Sequence, residues 1–118
     1  MNWDSHERRQ FVRINLPLKI YLSGSPHNLP AKTENISAGG LRVIINHKFN
    51  SGSIVDLKIY VTEEKPISCQ GKILWVFSRK KPQTKDLFCY DTGIEFAKIR
   101  KSDLELIKKI IAKNLVKK

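Results

Sequence analysis

The chain has 118 residues, enough for one domain with its own core, and its 41% hydrophobic and 28% charged composition excludes a disordered polymer. Its 22 basic and 11 acidic side chains leave a formal net charge of +11. That excess favours an anionic partner, whether nucleotide, nucleic acid, lipid surface or acidic protein, without choosing among them. No apolar run approaches the length of a membrane span and nothing near the start resembles a signal peptide, so a cytoplasmic protein without membrane insertion is expected. Cys69 and Cys89 lack CxxC spacing and have no histidine near them in sequence. They read as reduced, largely buried thiols, and no metal site is expected.

Residues 1–10 are polar and charged without apolar periodicity, and read as an N-terminal arm; Trp3 and His6 have no assigned role there. Residues 7–13, Glu-Arg-Arg-Gln-Phe-Val-Arg, put the guanidiniums of Arg8, Arg9 and Arg13 just before the first strand. An arginine presents a rigid fork of donors that matches a phosphate, or the O6/N7 edge of a guanine, with two bonds at once. Two readings stand at this point: a clamp for a small anionic ligand carrying guanine, or a solvated basic arm.

From Val12 the pattern has period two. Ile14, Leu16, Leu18, Ile20 and Leu22 alternate with polar or outward residues, as a half-buried strand does, and Pro17 belongs at an edge or bulge of it. Residues 23–30 carry turn chemistry, and residues 31–36 form a weak strand. Leu41, Val43 and Ile45 resume the alternation; Val55, Leu57, Ile59 and Val61 make another strand. Ile67, Cys69, Gly71, Ile73, Trp75 and Phe77 give the longest run, with Gly71 marking a bend or bulge. Residues 78–86 form a basic loop, and Phe88, Tyr90, Thr92, Ile94 and Phe96 the last strand. The ending changes period. Ser102 and Glu105 have capping-box spacing, and Leu104, Ile107, Ile111 and Leu115 share a helical face over residues 102–116. Six short strands and one helix, without βαβ alternation, fit a single all-β domain over residues 1–118: a small antiparallel barrel with a C-terminal helix.

Residues 35–40, Asn-Ile-Ser-Ala-Gly-Gly, complement the arginines. Asn35 can bond a base edge or phosphate, Ser37 offers a hydroxyl, and Gly39 and Gly40 allow positive φ and close backbone approach to a phosphate. The same residues also suit an ordinary turn in which Asn35 and Ser37 bond their own backbone. Trp75 either lines a site on the barrel or fills its core.

Taken together, Arg9-Gln-Phe-Val-Arg13 and Asn35-Ile-Ser37-Ala-Gly-Gly40 resemble the RxxxR and (D/N)xSxxG signature of the PilZ domain, a bacterial receptor domain for the second messenger cyclic di-GMP. Asn35 stands where aspartate is more frequent, and the family accepts either. Gly40-Leu-Arg-Val, Gly52-Ser-Ile-Val-Asp-Leu, Gly71-Lys-Ile-Leu-Trp75 and Gly93-Ile-Glu-Phe96 resemble family segments in the expected order. The resemblance implies a six-stranded antiparallel barrel with a C-terminal helix. It implies ligand contacts from Arg8, Arg9, Arg13, Asn35, Ser37, Gly39 and Gly40, with Trp75 as a neighbour and Arg8 available for a second ligand molecule. It also implies that ligand orders residues 3–13 for a downstream protein partner. No cofactor beyond the ligand is expected, and no enzyme, since His6, His27 and His47 fall in the arm or in turns without a matched nucleophile or carboxylate pair. Two alternatives remain. One is a basic barrel binding single-stranded nucleic acid, which the inward phase of most aromatics disfavours. The other is a ligand-free PilZ-like interaction module.

Overall fold

The alternating stretches become six antiparallel strands: β1 (Lys19–Ser23), β2 (Asn28–Ile36), β3 (Gly40–Ile45), β4 (Ile54–Tyr60), β5 (Ile67–Lys80) and β6 (Phe88–Lys98). Helix α1 (Lys101–Val116) follows them. The structure is a computed structural model and describes residues 12–23, 28–80 and 88–116. The strands run β1-β2-β3-β6-β5-β4 around a barrel that closes where β1 pairs with β4. Closure leaves no sheet edge unpaired. This is the all-β barrel with a terminal helix that the pattern and the resemblance imply.

The inward phase of each strand fills the barrel. Ile20 and Leu22, Leu41 and Val43, Val55, Leu57 and Ile59, and Ile73 and Ile94 are all buried. Each contributes roughly 1.5–3 kcal/mol by leaving water. From α1, Ile107 and Ile111 join this core, while Leu106 and Leu115 stay exposed, so only part of the expected helical face packs.

The structure departs from the sequence reading at four places, each with a local cause, and β5 also runs on to Lys80, so that residues 78–80, read as the start of the basic loop, pair with β6. The first strand is regular only from Lys19; before it, a single isolated bridge, Ile14 to Ile36, pairs the chain with β2. Pro17 has no N–H to give a ladder. Thr33 on β2 fills the gap: its Oγ1 accepts from the Leu18 N–H at 2.8 Å and donates to the Leu16 carbonyl at 2.6 Å. Second, β2 starts at Asn28, inside the stretch read as a turn, because Ser23 already pairs with Asn28. Third, the phase of β5 breaks between Ile73 and Trp75, which oppose Ile94 and Gly93 in β6. Leu74 is the extra residue of a bulge, and one extra residue exchanges the two faces of everything beyond it. Ile73 therefore points inward, whereas Trp75 is half-buried on the outer wall and Phe77 is 62% exposed beside it. The expected inward phase of these two aromatics is thereby corrected. A second irregularity between Gln70 and Gly71 falls where the glycine marks one. Fourth, α1 opens before Ser102: the Leu104 N–H donates to the Arg100 carbonyl at 2.9 Å. Ser102 sits within the helix, so the capping box does not form. Asp103 supplies the acidic side chain of the first turn, where the helix dipole favours it.

Both thiols are free, with Cys69 buried and Cys89 partly so. Burial, helped by the charge of Asp103, pushes the Cys69 thiol up from 9.0 to about 12. A folded-state pKa above the unfolded one stabilises the fold fully below the unfolded value, and that stabilisation is lost as pH rises toward the folded value. Denaturant titrations should therefore show wild type losing stability between pH 9 and about 12 more steeply than Cys69→Val. Equal slopes would mean that the thiol ionises as readily inside the barrel as outside it.

Candidate functional site

The outer wall of β2, β3, β6 and β5 carries one row of functional side chains, and strand register builds it. The Ile14–Ile36 bridge sets Arg13 beside Asn35. The hairpin at residues 37–39 pairs Asn35 with Arg42; across the next two interfaces Arg42 pairs with Gly93, and Gly93 with Trp75. Arg13, Asn35, Arg42, Gly93 and Trp75 accordingly line one open depression of about 300 Å³. An adjoining one of about 540 Å³ runs past Arg13, the turn at residues 37–40 and Leu74 to Phe96, Ile99 and Leu104 at the start of α1.

Within the row, Arg13 Nη1 donates to Asn35 Oδ1 at 2.5 Å, across 22 residues of sequence. Partial burial, and then the like charge of Arg42, hold the Arg13 guanidinium below its ordinary pKa. Among the described residues its hydrogen-bond partner is a neutral amide, and no described carboxylate forms an ion pair with it. Arg42 is in the opposite condition. Its Nε and Nη2 donate to Asp91 Oδ1 and Oδ2, both at 2.7 Å. Those bonds push Arg42 above its ordinary pKa; desolvation opposes them, and the charges of Asp91 and Glu34 add to them. Arg79 approaches the same carboxylate at 3.5 Å. Arg42 and Arg79 thus share one carboxylate on this wall, with Arg13 beside them on a neutral amide.

The turn at residues 35–40 divides the two readings of it. Ser37 is fully buried, and its hydroxyl accepts the Gly39 N–H at 3.1 Å and donates to the Gly40 carbonyl at 3.4 Å. That is the local turn reading. Asn35 does not follow it, because its side-chain oxygen faces Arg13. Gly40 packs directly on the β6 backbone, where a Cβ would overlap the Ile94 carbonyl oxygen. The positive φ anticipated in this turn is found instead at Gly52, with φ 92°. Gly39 keeps its carbonyl on the Phe96 N–H at 2.9 Å. Trp75 lies flat against Gly93, where a Cβ would overlap the indole, and its ring centroid is 5.2 Å from that of Phe77.

Of the residues singled out from sequence, Arg13, Asn35 and Trp75 come together, and Ser37, Gly39 and Gly40 form the turn beside them. Arg8 and Arg9 lie outside the described residues. Arg42 and Asp91 were not singled out. The available signal for Arg42 was its place on the outward phase of the strand just after the Asn35 turn. Among the described residues no cluster of histidine, cysteine and carboxylate side chains is suited to a metal ion, and no described helix is long and apolar enough to cross a membrane.

A closed six-stranded antiparallel barrel, capped by a terminal helix and carrying this basic row, defines the class of domain. The PilZ domain profile matches residues 7–113, and the chain belongs to the PilZ domain family. Among solved structures it resembles the Bacillus subtilis inhibitor of motility MotI/DgrA, at 23% identity and a TM-score of 0.77, covering 94% of this chain and 52% of that one. It resembles the PilZ domain of Escherichia coli YcgR with c-di-GMP, at 13% identity and 0.70, covering 90% of each chain. It also resembles the K. pneumonia MrkH–c-di-GMP complex, at 17% and 0.73, covering 92% of this chain and 52% of that one. The chain spans about half the length of MotI and MrkH, and at these identities the likeness is one of fold. No curated protein matches it.

Proposed function

We propose that this protein is a non-enzymatic receptor for cyclic di-GMP and signals by presenting its ligand-bound surface to a protein partner. The observation that carries the reading is the Arg13–Asn35 hydrogen bond. It joins the two halves of the receptor motif, 22 residues apart, on the outer wall of the barrel. A guanidinium whose hydrogen-bond partner among the described residues is a neutral amide gains directly from an approaching phosphate. Asn35 offers an amide to a guanine edge, the Trp75 indole floors the depression, and Arg8 and Arg9 of the receptor motif are the further candidate ligand contacts. Ser37 and Gly40 act by building the turn that aims Asn35, and Gly39 sits at the rim of the adjoining depression. The MrkH complex and the YcgR PilZ domain, both solved with c-di-GMP, support the assignment of ligand.

Isothermal titration of cyclic di-GMP into the protein, with GTP as control, tests this. Selective binding is expected, with about 1–3 kcal/mol of discrimination from each bidentate arginine–guanine contact. A stoichiometry above one would place a second ligand molecule on Arg8. Amide hydrogen exchange of residues 3–13 should slow with ligand, and unchanged exchange would overturn ordering of the arm.

The outward-facing pair of half-buried Trp75 and exposed Phe77 also gives a single-stranded nucleic acid reading its stacking platform. An oligonucleotide in the same titration separates the two: strong, steeply salt-dependent oligonucleotide binding without cyclic di-GMP binding would favour nucleic acid.

A further inference from the structure

Two hydrogen bonds to Asp91 fix Arg42 on this wall, and neither half of the receptor motif includes it. Its position follows from register: it faces Asn35 on one side and Gly93 on the other, two residues along β6 from Asp91. Asp91 is 9% exposed, although it lies on the outer phase of β6, because Arg42 and Arg79 cover it. An arginine has five N–H donors in a fixed plane. Asp91 takes one from Nε and one from Nη2, leaving three that no described residue takes, on a side chain that is one-third exposed and close enough to Arg13 for the two charges to repel.

We propose that Arg42 is a ligand-binding residue of this site, and that Asp91 is a positioning residue that holds its guanidinium flat on the barrel wall. A phosphate group of the ligand bridges Arg13 and Arg42, relieving their repulsion. The inference rests on the cyclic di-GMP reading above. It adds a fixed cation to a site whose motif arginines precede the first strand. The division of labour is physical. The carboxylate orients the fork and keeps it charged, so the free donors need no reorganisation when the anion arrives. Arg79, at 3.5 Å from the same carboxylate, prevents Asp91 from being left unpaired when Arg42 is removed.

The test is calorimetric titration of cyclic di-GMP into wild type, Arg42→Ala, Arg42→Lys, Asp91→Asn and Lys58→Ala, with melting temperatures of the free proteins. Lys58 is exposed on β4, across the barrel from the row, and Lys58→Ala controls for the loss of one positive charge. Arg42→Ala should weaken binding by about tenfold or more, as loss of a bidentate phosphate contact does. Arg42→Lys should recover only part of this, since a lysine keeps the charge and loses the fork. Asp91→Asn should weaken binding with Arg42 intact, and Lys58→Ala should match wild type. Wild-type binding with Arg42→Ala equal to it would overturn the role of Arg42 and leave the receptor reading standing. No binding by wild type would remove the receptor reading, and this inference with it. If Arg42→Ala and Lys58→Ala weaken binding equally, the effect is one of net charge and the proposal fails.

Discussion

Gly40→Ala should destabilise the free protein by about 3 kcal/mol, at the upper end of what overpacking a tight contact costs. In the receptor motif this glycine reads as a point of close approach to ligand. In the fold it is the point where β3 begins against β6. A Cβ there would overlap the Ile94 carbonyl oxygen and come within 3.0 Å of the Glu95 Cα. Both obstacles are backbone, so no rotamer change relieves them, and the Gly40–Glu95 register pair must separate. The Ser37 hydroxyl and N–H both bond the Gly40 carbonyl, so movement of Gly40 also loosens the turn that aims Asn35. Urea unfolding of the ligand-free variant checks this. The midpoint should fall, and whatever fraction remains folded should bind ligand poorly. A variant with wild-type stability and no ligand binding would reverse the reading and make Gly40 a ligand residue.

The barrel was legible because the inner wall is written directly into alternation. Val55, Leu57 and Ile59, or Leu41, Val43 and Ile45, leave no other face to bury. The helix was legible from its change of period, though not its first residue, because Arg100 starts the hydrogen bonding through its carbonyl, which any residue supplies. What stayed hidden depends on counting across strands. The bulge at Leu74 adds one residue to an unbroken-looking pattern, and neither Leu74 nor its neighbours differ in kind from a regular strand. The outward turn of Trp75 and Phe77 followed from that single insertion. Gly93 was a partial clue, since a glycine inside a strand often marks something packed on the backbone, here the indole of Trp75.

The functional row shows the same boundary. Arg13 and Asn35 could be paired by motif. Arg42 required knowing that the turn closes at residues 37–39, after which the pairing of Asn35 with Arg42 is simple counting. Asp91 required the neighbour relation of β3 with β6, which joins residues 49 apart and which no local pattern announces. Ser37 was misleading in a different way. Its hydroxyl has the chemistry to hold a phosphate, but the tight turn uses that hydroxyl for its own backbone.

Arg13→Ala should lower cyclic di-GMP affinity by about a hundredfold, equivalent to roughly 1–3 kcal/mol for a bidentate contact together with the loss of one charge facing the phosphates. The same change should leave the free protein's stability within about 0.5 kcal/mol of wild type, as is usual for a surface side chain outside a buried network. The two effects separate because of what Arg13 touches. Its hydrogen bond goes to Asn35, a neutral acceptor, and both partial burial and the nearby Arg42 disfavour its charge. In the free protein it is therefore a group under mild electrostatic strain, and removing it relieves repulsion as well as breaking one bond. Ligand binding reverses that balance, because the incoming phosphate provides the anion that Asn35 cannot. The affinity of wild type should accordingly fall as ionic strength rises, and that of Arg13→Ala should fall less steeply. Calorimetry across a salt series, paired with thermal melts of the free proteins, measures both. A large loss of melting temperature in Arg13→Ala would make the arginine a structural tie between the first segment and β2. In that case the hydrogen bond that joins the motif halves would serve to hold the first segment on β2, with Arg42, positioned by Asp91, left as the wall's anion-binding residue.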